Sequence, residues 1–144
     1  MTAAPGGATA YSVHVDDVPV EGWDAAERGG IRWHTLVSAD RTPTNTMTAG
    51  VARLGVGVPP LEPHRHAHAE MYHILAGAGE VHVGDQRFVV RAGSTVFIPS
   101  NAVHAIVNRG SEELRLFYCF ATDSFADVIY DFTGGGGVIT PPGP

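Results

Sequence analysis

From Ile31 to Phe132 the chain alternates short runs of β-branched and aromatic residues with turn residues: RWHTLV, TMTAGVARL, HAEMYHILA, GEVHVG, QRFVVRA, TVFIP, VHAIVN and ELRLFYCFA. Runs of this kind, bounded by Gly, Pro, Asn and Asp, read as strands, and they follow one another too closely for crossover helices between them. Only 24–28 and 124–128 could form a helical turn or two. The expected fold class is therefore all-β, a sandwich or barrel. The chain has 144 residues, the size of one ordinary domain, and 11–132 is expected to form it. Residues 1–10 and the tail 133–144 are rich in Gly and Pro, lack hydrophobic periodicity, and are expected to be flexible.

Two turns can be placed more closely. The stretch Ala76-Gly77-Ala78-Gly79 separates two apolar runs and Gly84-Asp85 the next pair, so each is expected to join adjacent antiparallel strands. His73 and His82 should then pair across the first of these hairpins, on its outer face. Side chains on a strand alternate faces. Glu70, Tyr72 and Ile74 should therefore share one face, opposite Met71, His73 and Leu75. By the same parity His104, Ile106 and Asn108 lie opposite Ala105 and Val107.

Composition removes several function classes. The net charge is −6, and all nine basic residues are arginines that do not cluster, so no nucleic-acid footprint is present. With no lysine, Schiff-base chemistry is excluded. The single cysteine, Cys119, allows no intrachain disulfide and no thiolate cluster, so a metal would rest on nitrogen and oxygen. No apolar run approaches the roughly 20 residues of a membrane span, and the first residues lack a signal-peptide pattern. A cytoplasmic protein without membrane or nucleic-acid partners is expected, and edge strands with apolar outer faces are compatible with a homodimer.

The chemistry concentrates in two segments. His64-x-His66-x3-Glu70 sets two imidazoles two residues apart, so both can reach one point from one strand face. Gly93-x5-Pro99-x-Asn101-x2-His104 brings a further imidazole on another inward face. Three neutral imidazoles and a carboxylate suit one divalent ion such as Zn, Fe, Mn, Ni or Co, and an octahedral ion bound this way keeps two positions for substrate or water. His64, His66, Glu70 and His104 are the expected metal ligands. His68 has the parity of the ligands but falls at an expected bend, where exposure to solvent is the reading. Tyr72 lies one strand repeat from Glu70, within reach of a molecule bound at the metal. Trp33, Phe97, Phe117, Tyr118 and Phe120 are expected to form core or pocket walls.

These two segments resemble the paired signature motifs of the cupin superfamily, whose fold is a jelly-roll-like β-barrel and whose motif histidines and glutamate bind the metal. The resemblance covers Gly57 to Asn108, with 15 residues between Gly77 and Gly93. Two positions depart from the pattern: Val58 and Asn101 stand where glycines are usual. Asn tolerates the left-handed turn that glycine would serve.

The fold hosts many reactions, so the metal quartet does not by itself name one. Further stretches resemble the small single-domain cupin lyases that cleave dimethylsulfoniopropionate: Gly30-Ile31-Arg32-Trp33, Ala69-Glu70-Met71-Tyr72, and Phe120-Ala121-Thr122-Asp123-Ser124-Phe125 followed by Tyr130. The resemblance implies that Tyr72 is the base removing a proton alpha to a carboxylate and that Tyr130 is a second pocket tyrosine; Tyr72 and Tyr130 are the candidate catalytic residues. Independently of it, a nearby dication lowers the proton affinity of a phenol and stabilises the enolate left when an alpha proton departs. The expectation is a redox-neutral, metal-dependent enzyme acting on a small-molecule acid or specialised metabolite, of lyase, epimerase or cyclase type. A dioxygenase using a redox-active metal and a ligand-binding module without catalysis are the alternatives.

Overall fold

The computed structural model describes residues 9–24, 28–132 and 137–142. All eight expected runs are strands: β2 (Arg32–Val37), β3 (Thr48–Leu54), β5 (Glu70–Ala76), β6 (Ala78–Val83), β7 (Gln86–Arg91), β8 (Thr95–Ile98), β9 (His104–Asn108) and β10 (Leu114–Phe120). Four more are too short for periodicity to reveal: β1 (Glu21–Gly22), β4 (His64–Arg65), β11 (Tyr130–Phe132) and β12 (Gly137–Ile139). Single 3₁₀ turns form at Val15–Asp17 and Phe125–Asp127; the second falls within the 124–128 segment, whereas most of the 24–28 segment lies outside the described residues. No helix among the described residues is long and apolar enough to cross a membrane.

The strands form two six-stranded antiparallel sheets, ordered β1-β2-β3-β10-β5-β8 and β12-β11-β4-β9-β6-β7. Within the tail, Gly137–Ile139 pairs with β11, register Tyr130 with Ile139. Residues 1–8, 133–136 and 143–144 lie outside the described residues.

The Gly84-Asp85 hairpin forms as expected, β6 pairing with β7, but the turn at Gly77 does something else. There β5 pairs with β10 and β8, while β6 pairs with β9 and β7, so the chain leaves one sheet and enters the other. Gly77 takes φ 82°, and a Cβ there would stand 2.6 Å from the Glu113 carbonyl oxygen. A glycine was legible; the change of sheet was not. His73 and His82 consequently never meet. His73 Nδ1 lies 2.7 Å from Thr95 Oγ1, and His82 Nε2 lies 2.7 Å from Glu80 Oε1. Gly77→Ala combines a left-handed conformation with a backbone collision, and is expected to lower stability by about 2 kcal/mol or more. The midpoint of urea unfolding at unchanged slope measures it.

Alternation holds along the central strands. In β5, Glu70, Tyr72 and Ile74 are buried, while Met71 and Leu75 are exposed. In β10, Leu114, Leu116, Tyr118 and Phe120 point inward. The same parity corrects two expected wall residues: Phe97 of β8 is 65% exposed between the buried Val96 and Ile98, and Phe117 of β10 lies half-buried on the outer face. Between the sheets, Trp23, Trp33, Phe120, Phe125, Tyr130 and Phe132 pack in mostly edge-to-face contacts.

A charged group outside the histidine cluster is also buried. The Glu21 side chain, 1% exposed, takes a bidentate pair from Arg41 (2.5 and 3.1 Å) and a hydrogen bond from Thr35 Oγ1 (2.8 Å). Removing one partner of such a pair leaves a buried charge that a hydroxyl alone does not compensate. Arg41→Ala is expected to cost about 3 kcal/mol in thermal or denaturant unfolding, with part of the loss recovered in the Glu21→Gln/Arg41→Ala double variant.

A candidate metal centre between the two sheets

His64 belongs to β4 and pairs in register with His104 of β9, so two imidazoles stand side by side in one sheet. Their ring centroids are 4.3 Å apart. His66 follows β4 directly, its ring 4.9 Å from that of His104. Glu70 opens β5 in the facing sheet, between Ile98 and Phe120. Its Oε1 lies 3.3 Å from His66 Nε2 and 3.2 Å from His104 Nε2. One potential ligand atom from each of His64, His66 and His104 falls within 4.8 Å of the others, and all four side chains are buried. The four expected ligands are brought together.

The orientation of the rings follows from the backbone. His64 Nδ1 lies 2.8 Å from the Glu62 carbonyl, His66 Nδ1 2.8 Å from that of His68, and His104 Nδ1 2.8 Å from that of Ala102. A carbonyl only accepts, so each Nδ1 carries the proton and donates. Each Nε2 is then the ring atom left to face the shared point. This is the outer-shell arrangement that fixes tautomer and rotation in metal-binding histidines. His104 Nε2 is buried and, despite the nearby carboxylate, makes no aligned hydrogen bond. A buried orphan nitrogen among acceptors fits a divalent cation.

The second turn also matches its reading. Asn101 sits at φ 61°, the left-handed conformation expected of it, and its N–H donates to the His66 carbonyl at 2.8 Å. The two ligand segments are thereby tied to each other. His68 differs from expectation: it is half-buried, its carbonyl holding His66 while its own Nδ1 is buried without a partner. Near His64, Arg28 pairs with Glu62 and lies 4.0 Å over the Phe132 ring, securing the segment whose carbonyl orients that histidine.

Burial, and then the neighbouring His104, push His64 down to about 3, so this imidazole stays neutral and available as a ligand. Burial pushes the Glu70 carboxyl up, but the His104 and His66 imidazoles outweigh it and hold the group below the ordinary carboxylate range. Tyr72 and Tyr130 are raised well above ordinary phenols, first by burial and then by the Glu70 charge.

A cavity of about 460 Å³, counting the space that opens to solvent, lies against this group. His64, Glu70, Tyr72 and Tyr130 supply its polar side, and Trp23, Trp33 and Phe125 are among its apolar walls. Tyr130 packs over the metal-site histidines, 5.0 Å from the His64 ring and 5.3 Å from that of His66, while Tyr72 stands 6.3 Å from the His104 ring. Trp23 escaped the sequence reading because it precedes the strand pattern and carries no motif.

Two antiparallel sheets enclosing three inward imidazoles and a glutamate, with a cavity beside them, define a cupin barrel, and the chain belongs to the cupin family. Residues 50–120 match the Cupin domain family. The particular relative that extends this likeness along the chain is the dimethylsulfoniopropionate lyase DddW of Ruegeria pomeroyi, 36% identical over 123 residues, 85% of this chain and 80% of that protein. Among solved structures, a predicted oxalate decarboxylase from Thermotoga maritima aligns with a TM-score of 0.67 at 21% identity, covering 78% of this chain and 99% of that one. The polyketide cyclase RemF from Streptomyces resistomycificus aligns with a TM-score of 0.66 at 19% identity, covering 78% and 80%. At such identities these structures establish the shared fold.

Proposed function

We propose that the chain is a metal-dependent, redox-neutral enzyme of the lyase type, in which Tyr72 removes a proton alpha to the carboxylate of a small organic acid. The observation that carries this reading is the position of Tyr72: one pleat repeat beyond Glu70, on the same inward face, lining the same cavity. The similarity to DddW over most of both chains supports elimination over epimerisation and cyclisation.

His64, His66, Glu70 and His104 would hold a divalent ion, which supplies Lewis-acid stabilisation of negative charge on a substrate carboxylate oxygen. Tyr72 Oη takes the alpha proton. As it does so, the electron pair of the broken C–H bond becomes the new C=C bond, and the beta substituent departs with its own bonding pair. Burial and the Glu70 charge raise the Tyr72 phenol, and a positive charge held at the quartet would act against them and favour its ionised form. Tyr130 covers the histidines and, with Trp23 and Phe125, limits water at the reacting carbon.

The test uses purified full-length protein reconstituted in turn with Zn, Fe(II), Mn, Ni and Co. Dimethylsulfoniopropionate is the first substrate, with dimethyl sulfide measured by gas chromatography and acrylate by liquid chromatography. Equal amounts of the two products, with no oxygen consumed, are expected. Oxygen uptake stoichiometric with product would sink the redox-neutral reading in favour of a dioxygenase.

A further inference from the structure

Proton transfer at Tyr72 leaves one polar feature of the cavity unused. Trp33 lines the cavity from β2, is 4% exposed, and its indole Nε1–H is buried without an acceptor. Tyr118 lines it from β10, also 4% exposed. Its hydroxyl lies against Gly50 and beside Thr35, whose own proton goes to Glu21, and it closes no hydrogen bond of good geometry. Gly50 and Ala52 of β3 run between the strands of the two aromatic residues, and the Tyr118 hydroxyl takes the space that a side chain at Gly50 would fill. Buried donors of this kind are nearly always paired.

Sheet register locates the feature. Trp33 pairs with Ala52, Ala52 with Leu116 and Leu116 with Ile74, so Trp33 stands three strands across from β5, in the row two pleat repeats beyond Glu70. Tyr118 occupies the intermediate row, beside Tyr72. Trp33 thus sits at the end of the cavity away from the quartet, with Tyr118 between them. An indole N–H can only donate, so its partner must carry an acceptor. The surrounding walls are aromatic and aliphatic, and the nearby Arg41 is engaged by Glu21, so a neutral oxygen suits the position and a second carboxylate does not.

We propose that Trp33 Nε1, with Tyr118 one pleat repeat nearer the quartet, anchors a neutral carbonyl or hydroxyl oxygen at the end of the substrate remote from its carboxylate. The substrate class is then an oxo- or hydroxy-acid whose departing end carries oxygen. This rests on the reading above, in which the quartet takes the carboxylate. A sulfonium offers no acceptor to Trp33, so turnover of dimethylsulfoniopropionate and occupation of this anchor are separate questions.

The experiment is calorimetric titration of the Zn-loaded full chain with two probe acids matched in shape, 5-oxohexanoate and 5-methylhexanoate. The oxo-acid is expected to bind about ten-fold tighter. Trp33→Phe, which keeps a ring in place, should bring the ratio within two-fold. Tyr118→Phe, which removes one oxygen, should reduce the ratio about three-fold. Equal binding of the two acids to the unmodified protein would overturn the anchor alone. So would an undiminished ratio in Trp33→Phe, since the N–H would then rest on the ring of Phe125, to which Trp33 stands edge-on. Failure of both acids to bind would overturn the carboxylate reading together with it.

Discussion

Replacing Tyr72 by Phe is expected to lower kcat on the substrate by at least about 100-fold while leaving metal content and the unfolding midpoint close to those of the parent. The ring of Tyr72 is 7% exposed and packs within the interior, so keeping it preserves the wall of the cavity. What the substitution removes is one hydroxyl on the face shared with Glu70. A purely structural tyrosine would register the loss in stability and spare turnover. A proton acceptor would do the reverse, and would also abolish solvent-deuterium incorporation at the alpha carbon of recovered substrate. Steady-state kinetics, metal analysis and isotope exchange on one preparation separate the two roles. Turnover at the parental rate in a folded, metal-replete Tyr72→Phe protein would remove the tyrosine from the mechanism.

The second large effect concerns the quartet. His104→Ala is expected to reduce bound divalent ion from about one per chain to a small fraction of that under dialysis, and to eliminate turnover. His104 is 1% exposed and stands next to His64, His66 and Glu70, so no other side chain can swing into its place. Metal analysis after dialysis against chelator-treated buffer measures the loss. A parental metal content in this variant would mean that the ion is held elsewhere. Chelation of the parent protein should likewise lower its melting temperature, because an ion that binds only the folded state stabilises it by mass action.

Much of the site was legible because strands impose a period of two. Placing Glu70 and Tyr72 on one face required no knowledge of the fold, and their shared burial against the exposure of Met71 bears out the parity. That His64 and His66 can reach one point was equally readable, since they alternate by two. Three features were hidden for definite reasons. The turn at Gly77 looks in sequence like any hairpin, because whether two consecutive strands pair depends on contacts with β8, β9 and β10, far along the chain. The inward or outward sense of Phe97 depends on which face of β8 meets the core, and a short strand with hydrophobic residues at alternate and intervening positions does not declare it. The polar anchor at Trp33 depends on an atom left without a partner, which only a three-dimensional arrangement can reveal.

The ligand set is split between the two layers, three imidazoles on the side of β4 and β9 and the carboxylate on β5. An ion seated there is therefore a rivet through the thickness of the barrel. Sliding or parting of the layers would have to break a coordination bond, so the opening motions available to the filled protein are confined to its rim. Entry and exit of small molecules would then belong to the chain segments around the cavity mouth, the two layers being tied together by the ion.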